Sequence, residues 1–216
     1  MSKFRRMLMM ASLSEPVPPT PPLPYDAEVE YLESTGTQWI GVELLGKNGY
    51  DFDYKVNFTQ LSTSQATGIG GEYHSNKSCY LGMVRTNGTL AYHYKGTASP
   101  VVVASNIQTG TDYVVTAHLY SGEQYYIVNG TKSSVGNITG DFVSTLYLRL
   151  FSVNSSSPLY SYMRLYYCKI YDNGILVRDY IPVRKDGVGY LYDKVSGQLF
   201  GNSGTDAFIY GNDVTT

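Results

Sequence analysis

Residues 50–58 read YDFDYKVNF, and the fold class follows from their alternation. Tyr50, Phe52, Tyr54, Val56 and Phe58 share one face of an extended chain, while Asp51, Asp53, Lys55 and Asn57 share the other. Successive side chains of a strand point to opposite faces, so this pattern predicts a strand with an apolar side on a core and a polar side toward water. Further strand candidates are SCYLGMV (78–84), TLAYHYK (89–95), TDYVVTAHLY (111–120), QYYIVN (124–129), STLYLRLFSV (144–153) and YMRLYYCKIY (162–171). The Asn87-Gly88 and Asn129-Gly130 pairs read as two-residue hairpin turns, in which both central residues take positive φ.

The clearest hairpin is YYCKIYDNGILVRDYIPV (166–183), with Asp172-Asn173-Gly174 between a strand ending at Tyr171 and a return over 175–181. A second, GVGYLYDKVSGQLF (187–200), turns at 193–197. No amphipathic helix is legible after residue 24. Short strands punctuated by turns predict an all-β chain, a sandwich of two antiparallel sheets. Composition agrees: 22 Tyr and 22 Gly suit strands and turns. A net charge of −2 argues against duplex nucleic acid, whose binding rests on a basic surface.

The first residues are of another kind. Pro16, Pro18, Pro19, Pro21, Pro22 and Pro24 favour an extended polyproline II spacer that cannot enter a sheet interior. The chain thus divides into three segments: 1–13, a docking peptide; 14–25, a proline-rich linker; and 26–216, the sandwich domain. MSKFRRMLMMASL is too short for a membrane span, which needs about 20 apolar residues. It also lacks a small-residue cleavage site and any lipid-accepting cysteine. Phe4, Met7, Leu8, Met9, Met10 and Leu13 are adaptable apolar groups suited to a partner's groove. Lys3, Arg5 and Arg6 would add charge-assisted contacts to an acidic surface.

EYLESTGTQWI (30–40) and KIYDNGILVRDYIPVRKDGVGYLYDKVSGQLFGNSG (169–204) resemble a concanavalin A-like lectin/glucanase jelly-roll family of gut Bacteroidetes and their crAss-like phages. The resemblance implies a jelly roll and, with the leader, a phage virion protein: a head fibre or capsid decoration subunit. Its leader would dock on capsid, portal or tail proteins through residues 1–24, and its head would form a dimer or trimer at the virion surface. The alternative is a carbohydrate-binding module of a bacterial surface or secreted protein. Neither reading calls for a membrane or an enzyme activity.

Candidate chemistry is sparse. Glucanases of this broader fold use paired carboxylates across the sugar. Here Glu28 and Glu30 share a face, but Glu33 falls on the other, and a charged edge strand accounts for all three. His74, His93 and His118 lack metal-ligand spacing, and no cofactor is expected. Asp51 and Asp53 are the candidate ligands for calcium, although their alternation also marks the solvent face of a strand. Cys79 and Cys168 read as buried thiols, with a disulfide between them left open. For a glycan, whose apolar ring faces stack on aromatics, the candidates are Trp39, Glu72, Tyr73, His74, Asn76, Tyr92 and Tyr94. Tyr162 and Tyr167 are further available rings.

Overall fold

The structure, a computed structural model, describes residues 22–61, 65–70, 81–93, 101–136, 138–154 and 158–215. The docking peptide (Lys3, Phe4, Arg5, Arg6, Met7, Leu8, Met9, Met10, Leu13), most of the linker, and Glu72, Tyr73, His74, Asn76, Cys79 and Tyr94 lie outside the described residues.

Among the described residues every regular element is a strand, and the strand pairings are antiparallel. In chain order these are β1 (Ala27–Glu28), β2 (Leu32–Thr35), β3 (Ile40–Lys47), β4 (Tyr50–Phe58), β5 (Gln65–Gly70), β6 (Leu81–Val84), β7 (Leu90–His93), β8 (Val101–Ala104) and β9 (Asp112–Tyr120). They continue with β10 (Glu123–Val128), β11 (Thr131–Gly136), β12 (Val143–Leu150), β13 (Tyr162–Asp172), β14 (Ile175–Lys185), β15 (Val188–Asp193), β16 (Gln198–Phe200) and β17 (Ile209–Tyr210). One sheet runs β11-β10-β9-β4-β13-β14-β15-β16, with β1 on β14, β2 on β13 and β17 on β2. The smaller sheet runs β3-β12-β5-β6-β7-β8. Their inner faces share one core, which makes the molecule a two-sheet sandwich.

The alternation in 50–58 is realised in β4, where Tyr50, Phe52, Tyr54, Val56 and Phe58 are all buried. Such a strand suits the middle of a sheet that covers another, and β4 lies between β9 and β13. The core is rich in aromatics. Tyr54, Tyr126 and Tyr180 are among its largest fully buried side chains, and the Tyr54 hydroxyl meets that of Tyr92 across the sheets. Tyr92 in turn stacks on Tyr126 at 4.0 Å. Tyr92 is therefore a core residue, only 5% exposed, and offers no ring face to a sugar. Burying rings rather than aliphatic side chains explains part of the tyrosine count. Each ring brings a large apolar area, and its hydroxyl usually finds a partner.

The turns at Asn129-Gly130 and Asn173-Gly174 have positive φ at both residues, as does Asp186-Gly187, which joins β14 to β15. Asn87-Gly88 differs. Only Gly88 has positive φ (+71°), and Arg85 N–H donates to the Thr89 carbonyl while Gly88 N–H donates to that of Arg85. This is a longer turn with glycine at its left-handed position, not the two-residue turn expected. Cys168 is a fully buried free thiol, and burial pushes its pKa well above the ordinary range.

The last hairpin is held by a buried carboxylate. Asp193, at the end of β15, is 0% exposed. Its Oδ1 accepts from Asp179 N–H (2.8 Å) and Val195 N–H (3.1 Å), and its Oδ2 from Ser196 N–H (3.3 Å) and Ser196 Oγ (2.7 Å). These bonds fix the turn that sends β16 and the residues after it back across the molecule.

Candidate functional site

After β16 the chain runs alongside residues 37–39 and is laced to them. Ser203 N–H donates to the Trp39 carbonyl (2.8 Å), and Thr205 N–H to that of Thr37 (3.3 Å). Asn202 Oδ1 accepts from Trp39 N–H (3.1 Å) and Gly204 N–H (2.8 Å), while Thr37 Oγ1 donates to the Thr205 carbonyl (3.0 Å). The contact is so close that a Cβ on Gly204 would stand 2.0 Å from the Thr37 carbonyl oxygen and 3.0 Å from the Trp39 ring. Only glycine fits there. Beneath, buried Gln38 accepts from Thr35 N–H (2.8 Å) and donates to the Ala207 carbonyl (3.1 Å), pinning the turn before β3.

These bonds place Trp39 at the head of β3, on the outer side of the smaller sheet. Arg149 of β12 reaches it there. Leu148 and Leu150 point into the core, so Arg149 and Tyr147 point outward by the period of the strand. Arg149 is registered opposite Gly41, which has no side chain to block its path. Its guanidinium lies over the Trp39 ring at 3.7 Å, a cation–π contact. Arg149 Nε is shielded from water and has no hydrogen-bond partner, and no carboxylate among the described residues pairs with this side chain. Burial pulls its pKa below the ordinary guanidinium value, and Tyr160 opposes that shift.

Two open concavities flank Trp39. One, of about 300 Å³, is lined by Trp39, Glu43, Tyr147, Arg149, Asn154 and Ser203. The other, of about 320 Å³, is lined by Thr37, Trp39, Tyr160, Ser203 and Thr205. Tyr147 is 56% exposed. Aromatic rings, hydroxyls, an amide, one guanidinium and the Glu43 carboxylate thus converge on a single outer surface. A larger hollow of about 440 Å³ lies between β8 and β11, but valines, small polar side chains and a buried Tyr113 line it, with no charged group among the described residues.

The polar face of the larger sheet forms a closed network. Asp51 accepts from His118 Nδ1 (2.5 Å) and from the Tyr120 hydroxyl (2.9 Å), and Asp53 from the Tyr167 hydroxyl (3.2 Å). The His118 ring lies between those of Tyr120 (4.1 Å) and Tyr125 (4.6 Å), and Lys132 Nζ caps Tyr125 at 3.7 Å. The two aspartates considered for calcium are thereby engaged with protein donors. No group of three or more His, Cys, Asp or Glu side chains is gathered for a metal among the described residues. Glu28 takes the Tyr25 hydroxyl, Glu30 the Asn212 amide, and Glu33 pairs with Arg164 Nε at 2.6 Å. Those carboxylates tie terminal strands down.

Of the glycan candidates read from sequence, Trp39 stands in this site and Tyr92 fills the core. Tyr162 packs against Gly36 and Tyr167 donates to Asp53, both away from Trp39's concavities, while Glu72, Tyr73, His74, Asn76 and Tyr94 fall outside the described residues. Arg149, Tyr147, Tyr160, Thr37, Ser203 and Thr205 join the site without having been candidates. One signal was available for two of them: the alternation in STLYLRLF puts Tyr147 and Arg149 together on the outer face of one strand.

No family profile matches this chain, and no curated protein does. Solved structures do. A native heptameric SAP-like pentraxin from Limulus polyphemus is 12% identical, with a TM-score of 0.56, over 88% of this chain and 96% of its own. A candidate carbohydrate-binding protein from Bacteroides ovatus is 9% identical, with a TM-score of 0.53, over 86% of this chain and 61% of its own. A mutant Trypanosoma rangeli sialidase displaying trans-sialidase activity is 16% identical, with a TM-score of 0.45, over 56% of this chain and 20% of its own. The first two show the fold: a lectin-like jelly-roll β-sandwich.

Proposed function

We propose that the protein is a non-catalytic glycan-binding module whose site is the surface around Trp39. The observation that carries this reading is Trp39 itself, an aromatic platform between two concavities rimmed by Thr37, Asn154, Ser203 and Thr205. Sugars are held this way: apolar ring faces pack on aromatics while hydroxyls and amides take the sugar hydroxyls. The carbohydrate-binding description of the Bacteroides ovatus neighbour supports it. Glycoside hydrolysis generally needs two carboxylates flanking one bond, and among the described residues Glu43 is the one carboxylate lining these concavities. The test is a glycan array, with calorimetry on the best ligand. Binding that Trp39→Ala reduces at least tenfold upholds the reading; binding indifferent to that change rejects it.

A second reading concerns where the head is displayed, and the leader's sequence favours it. An apolar, basic peptide joined to a proline spacer is the layout of a protein docked on a larger particle. On this reading the chain is a phage head-fibre or capsid decoration subunit, held by residues 1–24. Its sandwich is displayed at the virion surface as a dimer or trimer, so that weak glycan contacts multiply. The alternative is a module of a bacterial surface or secreted protein. Mass spectrometry of purified particles decides: full-length chain incorporated, and a variant lacking residues 1–24 excluded, upholds the virion reading. Equal incorporation, or none of either, rejects it.

A further inference from the structure

We infer that the Trp39 site selects acidic glycans, those carrying a carboxylate or sulfate group, through the guanidinium of Arg149. The inference rests on the glycan reading above and narrows it to a chemical class.

Three other arginines of the sandwich are paired with carboxylates. Arg164 faces Glu33, Arg178 faces Asp193, and Arg184 faces Asp26 and Asp213. Each of these holds strands together. Arg149 has lost water from Nε and has gained no anion among the described residues, only the ring of Trp39. A cation in that state interacts below its capacity, because removing a polar group from water costs free energy unless a partner replaces the water. The guanidinium as a whole carries its charge with no carboxylate beside it among the described residues, and an anion is the partner that charge favours. A protein anion would make the pair structural, whereas Arg149 lines an open concavity that a ligand can enter.

The geometry suits an oxyanion. A guanidinium held 3.7 Å over an aromatic ring is restrained there, and its N–H fork can match the oxygens of a carboxylate or a sulfate. Around it, Asn154 and Ser203 supply neutral polar groups, and Tyr147 supplies a second ring. Glu43 shares the concavity and would oppose an anion, but it is exposed and does not pair with Arg149. In water its repulsion is screened, and it is placed to accept from sugar hydroxyls. Arg149 thus adds charge selection to a platform that would otherwise read only ring shape.

The test compares matched ligands on an array and by calorimetry: trigalacturonate against its methyl ester, 3′-sialyllactose against lactose, and a sulfated against the desulfated oligosaccharide. At least one acidic member is expected to bind about 10- to 100-fold more tightly than its neutral counterpart, the range of one lost charge-assisted contact. Arg149→Gln should remove that difference by weakening the acidic ligand about 10- to 100-fold more than the neutral one, with folding checked by near-ultraviolet circular dichroism. Arg149→Lys should restore part of it, and added salt should weaken only the acidic ligand. Equal binding of acid and neutral partners that still requires Trp39 overturns this inference and leaves the glycan site standing. Equal loss of both on Arg149→Gln also overturns it, by assigning Arg149 to support of the ring. Binding of no member, acidic or neutral, removes the glycan reading and this inference together.

Discussion

Replacing Asp193 with alanine tests how the last hairpin builds the Trp39 surface. The wild-type carboxylate is fully buried and accepts from three backbone N–H groups and one hydroxyl, with Arg178 Nε 3.8 Å away. In the alanine variant, Val195 and Ser196 lie in an exposed turn, so their N–H groups can turn to water. Asp179 N–H, inside β14, has no such access. Stranding one buried donor costs about 1–3 kcal/mol. The lost turn cap adds about 1 kcal/mol by analogy with helix caps, and Arg178 loses the buried carboxylate beside it. The expected cost is about 2–4 kcal/mol, a fall of roughly 4–16 °C in Tm for a domain of this size. Asp193→Asn keeps an acceptor for Asp179 and should cost about half as much. Urea unfolding monitored by tryptophan fluorescence reads this out, since Trp39 lies on the segment the hairpin positions. A loss below 1 kcal/mol for Asp193→Ala would refute the idea that this carboxylate organises the turn.

The remaining expectations are independent of one another. Tyr25, Tyr50, Tyr120, Tyr166 and Tyr167 have pKa values pushed up to about 12, chiefly by burial and then by neighbouring carboxylates. The fold therefore favours their neutral form, while the unfolded chain ionises near 10. That stability is whole below about pH 10 and is lost as pH rises toward 12. The phenolate absorbance that a Tyr167→Phe change removes should accordingly appear together with unfolding, and its appearance in a still-folded protein would contradict this. Cys168 should resist thiol reagents until the protein unfolds, so rapid labelling of a native variant with Cys79 replaced by serine would count against its burial. Gly204→Ala should weaken glycan binding about tenfold or more by pushing the 201–206 segment off Trp39, at a stability cost of about 1–3 kcal/mol. Unchanged affinity would mean that this segment does not shape the site.

Much of the fold is legible in the sequence because period-two alternation is a strong signal wherever one face is buried, as in β4, β9 and β13. The strands that alternation does not reveal have weaker signals. In β3, Glu43 takes φ +59° and breaks the alternation of IGVELLGK. The edge strand β11, TKSSVG, carries almost no apolar residues and is a strand because the Asn129-Gly130 turn folds it onto β10. The site is less legible for a different reason. Trp39 and Ser203 are 164 positions apart in the chain, and Arg149 comes from a third segment, so their meeting depends on topology rather than spacing. The two ends, TGTQWI and GNSG, belong to one resemblance, but nothing in their residues shows that they touch. Tyr92 reads as available from sequence and is buried in the fold, because β7 (Leu90–His93) is buried on both faces and so carries no alternation to say which side chains are inward.

The Trp39 surface is the central claim, and a structure of the protein crystallised with the tightest ligand from the array tests it most directly. A sugar ring packed against Trp39, with its acidic group on Arg149, is the predicted result. A ligand seated on the Asp51–His118–Tyr125 face, or in the hollow between β8 and β11, would contradict it.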